Sequence, residues 1–428
     1  MSLFLGLGSN LGDRRANLSR AIHLLEQKGL TVLRLSPVVE SPALLPEGAP
    51  ADWNLPYLNL VLEAQTPACT PEQLRTWIIG IQDGMGRSSK SRWAPRPMDI
   101  DILLWDQDII RTDTLTIPHL GMLKRGFVLS PLLALEPQLR IPGQSGHTLL
   151  EWSTRLPHHI PLWMGIVNLT PDSFSDGGRF QNREALDIHL DAMTAAGVQI
   201  LDLGAESTRP GATALSAPEE WARLEPVLSQ IVDRYRSDPL RPRISIDTYH
   251  PAVAAQALER GADIINDVGG LTDPAMCELA SGYPDHDFIA MHNLGLPASR
   301  ERMLPADCDP VLVVEQWLLE QREHWERRGL NLSRLIFDPG IGFGKDGLQS
   351  QKLLQQAARF RRHGLRVLIG HSRKSFMKNF SGLDLLDKDL ATIGASLNLC
   401  RQGVDILRVH NVPLHVAAYR GWTHLEGV

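Results

Sequence analysis

The stretch Met164–Gly178, which reads MGIVNLTPDSFSDGG, decides the fold of the second half of the chain. It begins with apolar residues in the pattern of a buried strand and turns polar at Asn168. Turn-forming residues follow, and the pair Gly177-Gly178 closes the segment. A strand that ends in polar groups on a loop is typical of the active-site end of a barrel enzyme.

The sequence after Gly178 repeats this pattern of an apolar run followed by polar residues. Helical periodicity separates the runs, for example at Val311–Arg328, which ends before Gly329. Eight strands that alternate with helices predict a (β/α)₈ barrel over residues 162–428, in the α/β fold class. The strand-like runs are Leu162–Val167, Gln199–Leu203, Arg243–Ile246, Asp263–Ile265, Asp287–Met291, Leu335–Phe337, Arg366–Ile369 and Ile406–Val409.

Polar side chains stand at the carboxyl end of nearly every predicted strand, where barrel enzymes place their sites. One group offers carboxylate acceptors with amide and ammonium donors, which suit a flat heterocycle carrying several N–H and C=O groups. Its members are Asp247, Asn266, Asp338 and Lys374. A second group suits an anionic leaving group, with or without Mg²⁺, and consists of Asn168, Arg408 and His410.

The first half, residues 1–154, follows a different pattern, in which helices and strands alternate in a single layered domain. Its strongest signal is Gly86–Leu104, GRSSKSRWAPRPMDIDILL. Asp99 and Asp101 lie two residues apart on a strand, so their carboxylates share one face. Two adjacent carboxylates beside a basic loop suit Mg²⁺-nucleotide chemistry. The loop carries Arg87, Lys90, Arg92, Trp93 and Arg96.

Composition limits the classes of function that remain. The length of 428 residues fits two to three domains, and 43% hydrophobic with 21% charged residues describes an ordinary globular protein. A net charge of −6 indicates no general affinity for nucleic acid or membranes, so an anionic substrate must be held by a local cluster of Arg and Lys. We interpret residues 155–161, between the two halves, as a solvated linker.

Cysteine usage and the first residues predict a cytoplasmic protein. The four cysteines form no C-x-x-C pair, which favours reduced thiols over disulfides or a zinc site. A predicted strand already begins at Leu3, which leaves no room for a targeting peptide.

The motifs of the first half resemble 6-hydroxymethyl-7,8-dihydropterin pyrophosphokinase. These are GLGSNLGD at Gly6–Asp13, PYLN at Pro56–Asn59, RW-PR-MDIDILL, and IPHL followed by RGFVL. The resemblance implies a ferredoxin-like α+β domain in which Asp99 and Asp101 hold two Mg²⁺ ions. It implies ATP contacts at Arg87, Lys90, Arg92, Trp93, Arg96, His119 and Arg125, with Arg87 and Arg96 assisting the transfer. It further implies a pterin slot formed by Leu44, Tyr57, Asn59 and Phe127.

The motifs of the second half resemble dihydropteroate synthase over the whole barrel. They are GIVNLTPDSFSDGG, GAESTRPG, ISIDT, INDV, FDPGIGFGK, SRKSF and RVHNV, in family order. The resemblance implies that the pterin is held by Asp247, Asn266, Asp338, Lys374 and Arg408, with Asp247 and Lys374 catalytic. It also implies that pyrophosphate is bound by Asn168, Arg408 and His410, with the asparagine acting through one Mg²⁺ ion. Residues expected to flank p-aminobenzoate are Thr208, Arg209, Phe343 and Ser372.

Together the two halves predict a bifunctional folate-pathway enzyme. Its first half would pyrophosphorylate the pterin with ATP, and its second half would condense the product with p-aminobenzoate. Family resemblance also suggests a homodimer formed through the barrel. Two alternatives stay open: one half, more readily the first, is a non-catalytic pterin-binding module, or the barrel is a reduced-folate methyltransferase.

Overall fold

The computed structural model describes residues 2–87, 93–144, 146–156, 159–169, 179–206, 214–296, 301–379 and 384–426. The chain divides into two compact units, Met1–Ile160 with Thr423–Val428, and Pro161–Trp422. Among the described residues no helix is both long and apolar enough to span a membrane.

The first unit is built on an antiparallel sheet covered by helices. Its strands are β1 (Ser2–Ser9), β2 (Val32–Leu35), β3 (Val39–Ser41), β4 (Tyr57–Gln65), β5 (Asp99–Trp105), β6 (Ile110–Arg111) and β7 (Thr116–Ile117). Its helices are α1 (Arg14–Gln27), α2 (Pro71–Gly84), α3 (Gly126–Leu135) and α4 (Leu149–Ser153). The strand order β2-β4-β1-β5, with β3 also on β4 and every pair antiparallel, is that of the predicted ferredoxin-like α+β domain.

Local signals in the sequence set the ends of α1 and α2. Asp13 caps α1 by accepting a hydrogen bond from the Ala16 amide at 3.0 Å. Just past the end of the same helix, Gly29 has φ +93°, which a residue with a Cβ rarely adopts. Thr70 and Gln73 form a complete capping box at the start of α2. These local signals, which are readable in the sequence, define the observed helix boundaries.

One predicted strand and the predicted linker need correction. The run Thr31–Val39 suggests a single strand, but the structure divides it into β2 and β3. Pro37 lacks an amide hydrogen, and the hydroxyl of Ser36 accepts from the Val61 amide at 2.9 Å in place of a ladder bond. In the linker, His159 is buried rather than solvated, with Nδ1 3.5 Å from the Ser130 hydroxyl on α3.

The second unit is a closed barrel of eight parallel strands. The strands are β8 (Leu162–Asn168), β9 (Ile200–Gly204), β10 (Arg243–Asp247), β11 (Ile264–Asp267), β12 (Asp287–Met291), β13 (Leu335–Asp338), β14 (Arg366–Ile369) and β15 (Ile406–Val409). The helices are α5 (Arg179–Ala196), α6 (Ala217–Tyr235), α7 (Pro251–Glu259), α8 (Pro274–Gly282), α9 (Pro310–Arg327), α10 (Gly347–Gln355), α11 (Leu385–Gln402) and α12 (Val412–Glu426). Each predicted run overlaps one of these strands, which confirms the barrel.

The amino-terminal end of the barrel is closed by charges that have a structural explanation. Asp287 begins β12 and is fully buried, and it pairs with Arg366 at 2.8 Å and with Arg243. Although burial opposes ionisation, these two guanidinium groups hold the pKa of Asp287 below its ordinary value. This end of a barrel serves stability, whereas barrel enzymes place their sites at the carboxyl ends of the strands.

Candidate active sites

A cavity of about 220 Å³ in the first unit collects most of the residues predicted for nucleotide and pterin. It lies where β1, β4 and β5 pair side by side. Two predicted residues, Lys90 and Arg92, lie outside the described residues. The predicted residues that line the cavity are Leu44, Tyr57, Asn59, Arg87, Trp93, Arg96, Asp99, Asp101, His119, Arg125 and Phe127.

The two aspartates of β5 point into this cavity, while Ile100 and Ile102 are buried on the other side of the strand. Asp99 contacts Arg87 at 3.0 Å and Arg96 at 3.5 Å. Burial, followed by the negative charge of Asp99, raises the pKa of Asp101. Two carboxylates that repel each other in this way fit a divalent cation that also binds phosphate oxygens.

Two residues without a predicted role hold the arginines beside Asp99. The side chain of Asn10 accepts a hydrogen bond from the Arg96 amide at 2.8 Å. The buried Gln82 on α2 accepts from the Ile100 amide at 3.2 Å and also from Arg87. A buried glutamine on the apolar face of a helix is a signal that sequence reasoning could have used.

His119 faces Asp101, with 3.9 Å between its Nε2 and the carboxylate. Its Nδ1 accepts a hydrogen bond from the Gly121 amide at 3.2 Å, so the neutral ring carries its proton on Nε2. Burial lowers the pKa of His119 in spite of the nearby Asp101. The side chain is thus a neutral donor directed toward the acidic pair.

Gly8 forms a wall of the predicted pterin slot with little room for a larger side chain. A Cβ on Gly8 would lie 3.0 Å from the Asn59 amide oxygen and 3.4 Å from the Tyr57 ring. Asn59 also donates to the Ser41 hydroxyl at 3.0 Å, which fixes its orientation. A fixed amide beside two aromatic rings, those of Tyr57 and Phe127, suits a planar heterocycle.

In the second unit, Arg408 on β15 joins two carboxylates at the barrel mouth. Its Nε lies 2.6 Å from Asp202 and its Nη2 lies 2.6 Å from Asp247. Asp202 also accepts from the Ser245 hydroxyl at 2.7 Å and from the Asn266 amide at 3.3 Å. Burial raises the pKa of Asp247 to about 7 despite the Arg408 guanidinium. Asp202, which had no predicted role, therefore organises the predicted residues Asn266 and Arg408.

The segment after β13 brings Phe343 and Lys374 together, with Nζ 4.3 Å from the ring centroid. Asp338, at the end of β13, accepts from the Gly340 amide at 2.7 Å, and burial raises the pKa of its carboxyl group. A Cβ on Gly370 would lie 3.6 Å from Asp338 and 3.9 Å from Arg408. Asp338 therefore lies on the same side of the mouth as Arg408.

Buried Lys345 holds this segment, and sequence reasoning gave it no role. Its Nζ lies 2.7 Å from His292 Nδ1 and donates to the carbonyls of Gly340 and Phe343, each at 2.9 Å. Burial lowers the pKa of Lys345 to about 7, and burial with this ammonium lowers that of His292 to about 2. A Cβ on Gly340 would lie 1.9 Å from the His292 carbonyl, so this close turn requires glycine.

The structure brings together only some of the remaining residues predicted for the barrel site. The Ser372 hydroxyl accepts from the His410 amide at 3.2 Å and lies 2.9 Å from its Nδ1. Asn168 lies at the end of β8, opposite Gly204 of β9. Thr208 and Arg209 lie outside the described residues.

Two family models match the chain, one over each unit. Residues 4–137 match 7,8-dihydro-6-hydroxymethylpterin-pyrophosphokinase, and residues 164–410 match the pterin binding enzymes. The folate synthesis bifunctional protein of Chlamydia trachomatis is 37% identical over 95% of this chain and 94% of its own length. The chain belongs to the bifunctional folate synthesis proteins.

Other similarities support this family and the enzyme named for each half. The mitochondrial folate synthesis bifunctional protein of Arabidopsis thaliana is 33% identical over 95% of this chain and 80% of its own length. For the barrel, dihydropteroate synthase from Xanthomonas albilineans with 4-aminobenzoic acid gives a TM-score of 0.56 at 35% identity, covering 63% of this chain and 94% of the other. The synthase from Anaplasma phagocytophilum with 6-hydroxymethylpterin-monophosphate gives 0.56 at 35%, covering 62% and 99%. This bifunctional folate synthesis protein is therefore an enzyme with a pyrophosphokinase unit and a synthase barrel, which favours a synthase over a methyltransferase.

Proposed function

We propose that the cavity of the first unit transfers pyrophosphate from ATP to the hydroxymethyl group of 6-hydroxymethyl-7,8-dihydropterin. The hydroxymethyl oxygen bonds to the β-phosphorus of ATP and its proton is released, while the bond between that phosphorus and the α-bridging oxygen breaks and AMP leaves. The observation that carries this proposal is the meeting of the acidic pair, two arginines and an aromatic slot in one cavity.

In this site, Asp99 and Asp101 would hold Mg²⁺, which supplies positive charge to the phosphates; the number of ions, two, is part of the proposal. Arg87 and Arg96 then neutralise charge that develops on the transferred group, because guanidinium forks match phosphate oxygens. Arg125 and neutral His119 donate to phosphate oxygens from the same cavity. Further ATP contacts are assigned to Lys90, Arg92 and Trp93.

Tyr57, Asn59, Phe127 and Leu44 bind the pterin ring in the slot beside Gly8. Asn59 presents both an amide oxygen and an amide nitrogen to the edge of the heterocycle, while the aromatic rings cover its faces. This arrangement sets the hydroxymethyl group toward the acidic pair.

For the barrel we propose that Asp247, Asn266, Asp338 and Lys374 bind the pterin of the pyrophosphorylated product. The bond between the pterin methylene carbon and pyrophosphate oxygen breaks, the amine nitrogen of p-aminobenzoate bonds to that carbon, and one amine proton is released. Carboxylates at the mouth stabilise the positive charge that develops on the methylene carbon. Support comes from the ion pair between Asp247 and Arg408 and from Asp338, which lies on the same side of the mouth as Arg408.

Arg408 and His410 bind the departing pyrophosphate, and Asn168 is assigned to the same anion through one Mg²⁺ ion. Phe343 and Ser372 flank p-aminobenzoate together with Thr208 and Arg209. Because His410 contacts the Ser372 hydroxyl, the proposed pyrophosphate site lies next to the proposed p-aminobenzoate site.

The proposal also includes the extent of the two catalytic units, the cellular compartment and the oligomeric state. The catalytic units span residues 1–154 and 162–428, and the chain acts in the cytoplasm, in keeping with four free cysteines. The barrel forms a homodimer, supported by Leu386 and Leu390, which lie one turn apart on α11 and are more than half exposed. Light scattering gives the oligomeric state, and cell fractionation gives the compartment.

Complementation between two variants tests the division of labour. Asp101→Asn removes half of the acidic pair, so AMP release falls by about a hundredfold or more while supplied pyrophosphorylated pterin is still converted to dihydropteroate. Asp247→Asn keeps AMP release and loses dihydropteroate. A mixture of the two chains restores the complete conversion.

Two exposed aspartates serve as matched controls, Asp108→Asn in the first unit and Asp285→Asn in the second, and both leave each product unchanged. Normal AMP release by Asp101→Asn overturns the first site. If the native chain forms dihydropteroate only from supplied pyrophosphorylated pterin, the first unit is a non-catalytic pterin-binding module.

A further inference from the structure

Three residues outside the proposed catalytic groups meet beside the barrel mouth. Glu206 follows β9, Glu220 lies in the first turn of α6, and His250 precedes α7. One ligand atom from each lies within 4.8 Å of the others. His250 Nε2 is 3.8 Å from Glu206 Oε2 and 3.9 Å from Glu220 Oε2. We name these residues the Glu-Glu-His cluster.

Both carboxylates of the cluster are buried, with side-chain exposures of 5% for Glu206 and 1% for Glu220. Two neighbouring hydroxyls donate to them, Tyr249 to Glu206 Oε1 at 2.9 Å and Thr248 to Glu220 Oε2 at 3.0 Å. Glu206 Oε2 is different, because it is buried without a hydrogen-bond partner among the described residues. Burying a carboxylate oxygen without a hydrogen-bond partner raises the free energy of the fold unless a cation or a proton binds to that oxygen.

The charged groups around the cluster also favour a bound cation. No lysine or arginine of the described chain pairs with Glu206 or Glu220, and their charged neighbours are each other, Asp247 and His250. Within the part of the chain that the structure describes, no lysine or arginine therefore balances these two carboxylates.

The donor set specifies the class of cation. One imidazole nitrogen and two carboxylate oxygens are ligands that Zn²⁺ takes at about 2.0–2.2 Å, which places tetrahedral ligands roughly 3.4 Å apart. The two separations from His250 Nε2, 3.8 Å and 3.9 Å, exceed this spacing by about 0.5 Å. The Leu215 carbonyl, 3.2 Å from His250 Nε2, offers a fourth oxygen.

We propose that Glu206, Glu220 and His250 bind one divalent transition-metal ion, with Zn²⁺ as the best match. The ion replaces the proton on His250 Nε2 and is coordinated by Glu206 Oε2, the oxygen that lacks a hydrogen-bond partner among the described residues. It joins the segments after β9 and β10 to the start of α6, so its role is structural. This site is separate from the Mg²⁺ assigned to Asn168 and does not rest on the proposed function.

Metal titration of the full-length chain tests the proposal. All proteins carry Asp99→Asn and Asp101→Asn, which removes the acidic pair of the first unit as a competing site, and all are stripped with a chelator. Zn²⁺ binding is followed by calorimetry, and Co²⁺ binding by its visible absorption bands, which report imidazole and carboxylate ligands. The background protein binds one ion, and Glu206→Gln or His250→Gln lowers the affinity at least about tenfold.

Glu184→Gln and His424→Gln are matched controls, because both side chains are exposed, and they leave the affinity unchanged. Far-UV circular dichroism of the metal-free proteins checks folding. His250 is 23% exposed, so His250→Gln provides the test if a glutamate variant fails to fold. Absence of binding to the background protein, or equal affinity in background and cluster variants, overturns the proposal and leaves a carboxylate pair that shares a proton.

Discussion

Arg408 compensates the buried charge of Asp202, whose side chain is fully inaccessible. Removing one partner of such a pair leaves an uncompensated charge, which costs about 3–5 kcal/mol. Arg408→Met therefore lowers the free energy of unfolding of the barrel by about this amount, measured by urea denaturation.

A second substitution separates this charge effect from lost packing. Adding Asp202→Asn to Arg408→Met removes the unpaired charge and recovers part of the lost stability. If Arg408→Met alone unfolds at the urea concentration of the native chain, Asp202 does not depend on the guanidinium.

At the residue scale, the sequence predicted the groups whose chemistry is local. That Asp99 and Asp101 share a face follows from strand alternation, because residues two positions apart on a strand point to the same side. Asp202 received no role from the sequence, since its partner Arg408 is 206 residues away in the chain. Asn10 was missed for the same reason, as it meets Arg96 across 86 residues.

At the element scale, Lys345 holds the segment after β13 without lining the mouth itself. Lys345→Met removes the hydrogen bonds to Gly340 and Phe343, so Phe343 is no longer fixed beside p-aminobenzoate. We expect the KM for p-aminobenzoate to rise about tenfold, on the order of 1.4 kcal/mol, with a smaller change in kcat. Steady-state kinetics of the synthase step measures this.

Lys352→Met on α10 is the matched control, since this lysine is exposed and its loss leaves KM unchanged. A fall in kcat at constant KM in Lys345→Met would contradict a positioning role and assign Lys345 to the chemistry.

Glu315 connects α9 to the short 3-10 helix after α10. It accepts from Arg359 at 3.0 Å and lies 2.7 Å from His363. Hydrogen bonds led by Arg359 lower the pKa of Glu315 from 4.5 to about 2. A lowered carboxyl pKa stabilises the fold above pH 4.5, and this contribution is lost as pH falls toward 2.

Glu315→Gln consequently destabilises the barrel at pH 7 by about 1–2 kcal/mol, a value reduced by solvent screening. The difference from the native chain disappears near pH 2. Thermal unfolding between pH 2 and pH 7 measures it, and a difference that stays constant across this range contradicts the assigned pKa.

Element boundaries were predictable where a local cap defines them. Asp13, Gly29 and the Thr70 capping box signal helix ends within a few residues of chain. The division between β2 and β3 was missed because apolar periodicity continues across Ser36 and Pro37. Pairing with β4, which is a tertiary contact, decides which of these residues stay in the ladder.

At the scale of the whole molecule, the barrel was predictable because it repeats a simple pattern, and the first unit because its motifs resemble a known family. The barrel has eight apolar runs, each ending in polar groups, and the first unit has its motifs in family order. Sequence reasoning could not find the Glu-Glu-His cluster, because it took Glu206 only as a polar group after its strand and gave Glu220 and His250 no role. Only closure of the barrel brings the three residues together.

The central claim is that one chain performs both steps. The most direct measurement is a single reaction of the native chain with Mg²⁺, ATP, 6-hydroxymethyl-7,8-dihydropterin and p-aminobenzoate, in which AMP and dihydropteroate are followed together. We predict that both products form and that dihydropteroate requires ATP. AMP without dihydropteroate contradicts the assignment of the barrel mouth, and the absence of both products contradicts the assignment of Asp99 and Asp101 to pyrophosphate transfer.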